Sequence, residues 1–297
     1  MFVIQFRKLF VIISLILMVA SGAAFGAFGL KQSIDFTGGT LVEIKSGSAS
    51  RDQIVSAFSG VTDETVSLRP TEHGFIARTK VLLAASITDI EQALVALETG
   101  SEVERVSTVG PSLGDELFKK ALIALGLVAL GILLFVAIAF WRVSKPVSSW
   151  VYGLVTLATL VHDVLLPIGV FALLGYFLNV EVGALFVVAL LTVLGYSVND
   201  TIVVLDRVRE NLRINKEIEK HEDFDRVVGR SLAQTYARSI NTSLTTVVVL
   251  LALFFFGGSQ TEDFALALLI GVMAGAYSSI FFASPLLVLI ERMGKKT

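Results

Sequence analysis

Six apolar stretches punctuate the chain, at about residues 9–28, 121–140, 151–173, 182–205, 244–256 and 264–290. Uninterrupted apolar blocks of this length predict membrane-spanning helices. The first four and the last each supply the roughly 20 residues that cross a hydrocarbon core of about 30 Å. The fifth is short. It spans only if it starts near Ile240 and takes Asn241, Thr242 and Ser243 into a buried first turn.

The polar stretch between the first two blocks has a different rhythm. Residues 40–45 alternate as a strand does, and 103–109 read as another. Residues 65–69 and 74–80 predict a strand pair around the turn-forming segment 70–74. Ile54, Val55 and Phe58, after a Ser-x-Asp start, suit a short helix over 50–59; Ile87, Ile90, Leu94 and Leu97 suit a second over 86–97. The order β-α-β-β-α-β predicts a small ferredoxin-like domain. The fold class is therefore a multi-pass α-helical membrane protein. It has six transmembrane helices and one small α+β ferredoxin-like extracytoplasmic domain between helices 1 and 2. Residues 1–30 form the N-terminus and first span, 31–116 the α+β domain, and 117–297 spans two to six with a charged cytoplasmic loop at about 206–238.

Composition agrees: 54% of the 297 residues are hydrophobic, above the roughly 45–50% of soluble domains. A net charge of −2 gives no footprint for nucleic acid. Cysteine is absent, and His73, His162 and His221 are too scattered for a metal cluster. No metal or cofactor is expected, nor a catalytic constellation. His73 reads as a surface residue of a turn.

Lys and Arg set the orientation. Arg7 and Lys8 precede the first span, and Arg142 and Lys145 follow the second. Arg207 to Arg238 crowd the fourth loop, and Arg292, Lys295 and Lys296 end the chain. The short loops after spans three and five carry Glu181, Glu262 and Asp263 but no Lys or Arg. The positive-inside rule puts both termini in the cytoplasm. The N-terminus also resembles a signal peptide, but its apolar stretch exceeds the usual 7–15 residues, so an uncleaved anchor is expected.

Polar side chains interrupt the spans in ordered ways. In span four, Thr192, Tyr196, Asn199 and Asp200 share one helical face. Asp200 lies roughly 10 Å before Arg207 at 1.5 Å per residue, in the cytoplasmic part of the core. An ionised Asp at mid-helix costs roughly 2.5–3.5 kcal/mol on insertion scales. Such a residue marks an ion or proton path, or is a permanently paired structural carboxylate. Arg238, before span five and in line with Asn241, Thr242 and Thr245, is either its counter-charge or an anchor snorkelling to the headgroups. Span three carries Tyr152, Thr156, Thr159 and Asp163 on one stripe, with His162 beside it and Pro167 expected to kink the helix. His162 alone reads as a helix–helix hydrogen-bonding residue. Ala267, Gly271, Gly275 and Ser279 in span six form a packing ridge. Val208, Leu212, Phe224, Val227, Val228 and Leu232 give the charged loop a weak amphipathic character, that of a solvated helical connector; a partner-binding face is the alternative.

Four segments resemble one family. Ser33-Ile-Asp-Phe-Thr-Gly-Gly-Thr40 and Val109-Gly-Pro-Ser-Leu-Gly-Asp-Glu-Leu117 are similar to the motifs flanking the first extracytoplasmic region of SecD and SecF. Asp35, Gly38, Gly39, Gly110 and Pro111 carry that similarity. Gly195-Tyr-Ser-Val-Asn-Asp-Thr-Ile-Val-Val-Leu-Asp-Arg-Val-Arg-Glu-Asn211 resembles SecF rather than SecD, with Leu205 where Phe is usual, and Arg238-Ser-Ile-Asn-Thr-Ser-Leu-Thr-Thr246 is similar to the family segment opening span five. The resemblance implies the resistance-nodulation-division superfamily and a bacterial inner-membrane location. It implies an accessory, non-enzymatic role in export of unfolded preproteins, driven by the proton-motive force. The implied partners are a SecD-like subunit, the SecYEG translocon, a small YajC-like membrane protein, the preprotein and protons. Asp200 and Arg238 fall on the proton-coupling positions. Tyr196, Asn199, His162 and Asp163 are the supporting intramembrane polar residues. Three rivals share some features. A small-molecule exporter would normally need a larger outer domain and both halves in one chain. An intramembrane aspartyl protease needs a second facing Asp, usually in a Gly-x-Gly-Asp context, and Asp163 lacks it. A purely structural assembly subunit would need no proton chemistry.

Overall fold

A computed structural model describes residues 2–62, 66–71, 74–97, 99–139 and 147–294. His73, Arg142, Lys145, Lys295 and Lys296, used above for a turn and for orientation, lie outside the described residues. The chain divides into two compact units. One comprises Lys31–Ile123 with Glu181–Ala184; the other comprises Met1–Leu30, Ala124–Val180 and Leu185–Thr297.

The first unit is the α+β one. A short helix α3 (Ile34–Thr37) leads into β1 (Gly39–Lys45), α4 (Arg51–Ser59), β2 (Ser67–Pro70), β3 (Gly74–Thr79), α5 (Ala84–Val95) and β4 (Glu102–Val109). The sheet order is β2-β3-β1-β4, with every neighbouring pair antiparallel. That is the ferredoxin-like arrangement expected from the sequence. Sheet residues Val42, Ile44, Leu68 and Ala77 meet Ile54 and Phe58 of α4 and Ile90 and Leu94 of α5 in one buried core. Both helices thus cover one face of the sheet. α4 starts where its Ser-x-Asp signal put it. Ser50 Oγ accepts from the Gln53 N–H, and Gln53 Oε1 accepts from the Ser50 N–H at 2.8 Å, a reciprocal capping box. β2 begins later than 65, and α5 sits two residues earlier than the apolar spacing alone suggested.

The other unit is helical. The N-terminal α1 (Phe2–Gln5) precedes α2 (Arg7–Phe28), and α6 (Pro111–Ala139) enters from the α+β unit. α7 (Ser149–Leu178), α8 (Ala184–Glu217), α9 (Phe224–Phe256), α10 (Ser259–Ser278) and α11 (Ser284–Gly294) complete it. Among the described residues, six helical segments are long and apolar enough to cross a membrane, α10 and α11 counting as one. α7 runs through Pro167 without a break. The sixth span is interrupted by a π-helical turn, Ser279–Ala283. Pro285 follows it and has no N–H for an i−4 carbonyl, which is where such a bulge relieves a helix.

The fifth span is not short. Its helix begins at Phe224, so the apolar 244–256 is the end of a 33-residue rod. The charged stretch 206–238 is helical through Glu217 and again from Phe224. Its apolar stripe is interior: Val208, Phe224 and Val228 pack with Tyr152, Val155 and Leu287, and Leu232 packs with Val204 and Ile280. In the turn between, Glu222 accepts from Asn215 and pairs with Arg230 at 2.9 Å. The Asn215 hydrogen bond, helped by Arg230 and Lys220 against a small burial effect, holds its carboxyl below the usual range.

Candidate functional site

α7 brings its polar stripe into the middle of the helical unit. Tyr152, Thr156, Thr159, His162 and Asp163 are all buried. Thr156 and Thr159 satisfy their hydroxyls on α7's own carbonyls at 2.9 and 2.7 Å. Asp163 instead gathers three other groups. Its Oδ1 lies 2.8 Å from His162 Nδ1. Its Oδ2 accepts from Ser278 Oγ at 2.8 Å and from Ser197 Oγ. One carboxylate therefore ties α7 to α8 and to the end of α10. The His162 ring lies against Tyr277 and Phe282, and among the described residues its buried Nε2 finds no hydrogen-bond partner.

The small-residue ridge makes this approach fit. A Cβ at Gly271 would run into Val193, and one at Gly275 would sit 3.3 Å from Ser197 Cβ. α8 and α10 pack closely there because the side chains are missing.

Asp200 is one turn beyond Ser197 on α8 and is 3% exposed. Its hydrogen bond comes from Ser243 Oγ of α9, at 3.3 Å. Tyr196 donates to the same Ser243 oxygen at 3.4 Å. Further along, Arg207 meets Gln234, Asn211 meets Ser231 and Asn215 meets Arg230. Numbers rise on α8 as they fall on α9, so the two helices are antiparallel neighbours. Arg238 is one and a half turns before Ser243, and its side chain is exposed. No ion pair joins Arg238 to Asp200 among the described residues.

Asn199 and Thr192 are exposed on α8, as are Asn241, Thr242 and Thr245 with Arg238 on α9. Tyr196 is half-buried between the two groups. The proposed site residues thus fall into three sets: a buried His162–Asp163 centre, a buried Asp200, and an exposed polar band. Asp35, Gly38, Gly39, Gly110 and Pro111 belong to the α+β unit, around the start of β1 and of α6. No three His, Cys, Asp or Glu side chains converge as metal ligands among the described residues.

Three serines that no sequence pattern singles out complete the site: Ser197, Ser243 and Ser278. Each donates to a buried Asp. Residue type gave no signal, because hydroxyls inside apolar helices ordinarily bond back to their own backbone, as Thr156 does. The available signal was position: Ser197 lies three residues before Asp200, and Ser278 precedes the ridge residue Ser279.

Two family models match the chain: the C-terminal region of the protein export membrane proteins SecD/SecF over residues 89–293, and the SecD/SecF GG motif over residues 23–49. A protein translocase subunit SecF from Thermobaculum terrenum is 39% identical, with 96% of this chain and 92% of that protein covered. One from Anaerolinea thermophila is 36% identical, covering 96% and 92%. Among solved structures, the crystal structure of SecDF, a translocon-associated membrane protein from Thermus thermophilus, superposes with a TM-score of 0.82 at 33% identity. That match covers 97% of this chain and 38% of the longer SecDF chain.

Proposed function

The chain belongs to the SecD/SecF family of protein export membrane proteins, on its SecF side, and from that premise we propose that it uses the proton-motive force to promote preprotein export across a bacterial cytoplasmic membrane. It acts there as an accessory translocase subunit beside SecYEG, not as an enzyme, with both termini in the cytoplasm and the α+β domain outside. A SecD-like subunit supplies the other half of the assembly, and a small YajC-like protein is a further partner. The polar band on α8 and α9 supports this. Arg238, Asn199, Asn241, Thr242 and Thr245 are exposed on helices built to lie in lipid. Charges at such depth face a bundle interior or an aqueous path rather than acyl chains. A second six-span subunit seated on that face would enclose them.

Asp200 carries the proton in this reading. The observation behind it is a buried mid-helix carboxyl whose hydrogen bond among the described residues comes from one neutral hydroxyl, at 3.3 Å. A carboxyl held so lightly is free to gain and lose a proton. Arg238 serves as its movable counter-charge, approaching when the proton leaves. Tyr196, Asn199, His162 and Asp163 shape the polar surroundings. Each elementary charge crossing 100 mV releases about 2.3 kcal/mol. One proton therefore biases a few-kcal/mol equilibrium between two positions of the outer domain. Movement of that domain hinders backsliding of the emerging polypeptide.

The Asp200→Asn chain is expected to fold, to assemble with its SecD-like partner, and to lose stimulation of export by the proton-motive force. Export driven by ATP alone stays. The measurement is preprotein uptake into inverted vesicles with and without a proton gradient. Undiminished stimulation in Asp200→Asn sinks the proton-coupling role and leaves the assembly-subunit reading.

A further inference from the structure

The motif residue Asp35 makes contacts that the proton site does not absorb. It sits in α3, whose N-cap Ser33 accepts from the Asp35 N–H at 3.2 Å. The Asp35 carboxylate itself is spent elsewhere. Its Oδ2 accepts from the Ala184 N–H at 2.8 Å. Ala184 is the first residue of α8, and α8 has no acid of its own in its first turn. Asp35 thus caps that helix from 149 positions away in sequence. A carboxylate at a helix N-terminus satisfies an orphan N–H and complements the helix dipole.

The cap is part of a clasp. The Val182 N–H donates to the Lys31 carbonyl at 2.8 Å, and the Ser33 N–H donates to the Val182 carbonyl at 2.9 Å. These two bonds make a parallel bridge between Gln32 and Val182. From β3, Arg78 donates to the Gln32 carbonyl and to Glu181 Oε1, each at 2.7 Å. Gly183 lies so close beneath the cap that a Cβ there would strike Asp35 and Ser33. The residues 181–184 are therefore held as part of the α+β unit, although they lead directly into α8.

We propose that Asp35 is a positioning residue: by capping α8 it ties the outer domain to the helix that carries Asp200, so that displacement of one is felt by the other. Asp200 lies about 24 Å further along that same helix at 1.5 Å per residue. The inference rests on the proton-coupling reading above. It assigns the wiring between the proton site and the moving domain to the Asp35–Ala184 cap and the 32–182 bridge.

The chain has no cysteine, which makes a rescue experiment clean. Asp35→Ala, in the full chain assembled with its SecD-like partner, is expected to lower proton-gradient stimulation of export roughly fivefold, the scale of one lost N-cap. Export without the gradient is expected to stay unchanged. Adding Gln32→Cys and Val182→Cys to Asp35→Ala replaces the cap by a covalent tie at the bridge. Oxidation is expected to restore at least about half of the stimulation, and reductant to remove it again. A merely structural defect would not return and vanish with the redox state of one bond. Full stimulation in Asp35→Ala overturns the proposal, as does a cross-linked Asp35→Ala chain that stays as low as the reduced one. Asp200→Asn run in parallel separates the two readings. If it too keeps full stimulation, proton coupling fails; if it alone loses stimulation, only the clasp fails.

Discussion

Asp163→Leu is expected to destabilise the helical unit by about 3 kcal/mol, in the range for breaking one side of a buried polar pair. The leucine removes the hydrogen-bond partner of His162, Ser197 and Ser278 together. Three helices, α7, α8 and α10, meet at that carboxylate, and all three of its partners are buried. Hydrogen bonds between membrane helices average about 0.6 kcal/mol each by double-mutant cycles, so the two that cross to Ser197 and Ser278, with the polar groups left stranded around the leucine, reach that size. Asp163→Asn keeps one carbonyl oxygen and nearly the same volume, and is expected to cost less than half as much. Unfolding in mixed micelles of increasing SDS fraction measures both. Equal midpoints for Asp163→Leu and the parent chain would falsify the view that Asp163 is the tie between these helices. The same pair of variants weighs the protease rival, because a carboxylate committed to three donors is poorly placed to activate water against a peptide bond.

The contrast between Asp163 and Asp200 shows what the sequence could and could not express. Both were visible as acids in apolar helices, because a charge among aliphatic residues stands out at any alignment of faces. The spans and the β-α-β-β-α-β order were visible for a similar reason: hydrophobic periods of 2 and 3.6 are local properties. What remained hidden was which serine each acid would find. Ser197 lies 34 positions from Asp163, Ser243 lies 43 from Asp200, and Ser278 lies 115 from Asp163. Those pairings depend on helix rotation and crossing, which no local period encodes. The ridge at Gly271 and Gly275 told that something packs closely there, but not that Val193 and Ser197 fill the space. Helix ends were misjudged where hydrophobicity and helix length part company. α9 gains its first five turns from a mixed stretch in which Asp225, Arg226, Arg230 and Arg238 interrupt the apolar positions, and the buried Val227, Val228 and Leu232 are too sparse to read as a span. The cap on α8 lies beyond any local pattern, since Asp35 belongs to a segment legible only as a family motif and Ala184 to a span 149 positions away.

Gly38→Ala and Gly39→Ala are each expected to cost the α+β unit about 2–4 kcal/mol, whereas Gly110→Ala is expected to stay within about 0.5 kcal/mol. All three glycines carry the family resemblance, yet they differ physically. Gly38 has φ 72° and Gly39 has φ 137°, conformations that cost a side chain roughly 1–2 kcal/mol before any contact is made. A Cβ at Gly38 would lie 2.7 Å from Pro111 Cα, and one at Gly39 would lie 2.7 Å from the Thr79 carbonyl oxygen. Both obstacles are backbone, so no rotamer change relieves them. Gly110 has open space where its Cβ would go. Hydrogen exchange of the β1 and β4 amides in the intact protein reads the loss, because Gly39 opens β1 and pairs with Val109 at the end of β4. Equal protection in all three variants would show that the motif is kept for something other than backbone approach. The expected pattern instead makes Gly38 and Gly39 the place where the chain entering β1 and the chain leaving into α6 come within contact. Pro111, the first residue of α6, has no N–H to satisfy there and can lie flat against Gly38. The two motif segments are then halves of one junction, 70 residues apart in the chain, as the pairing of Gly39 with Val109 already requires.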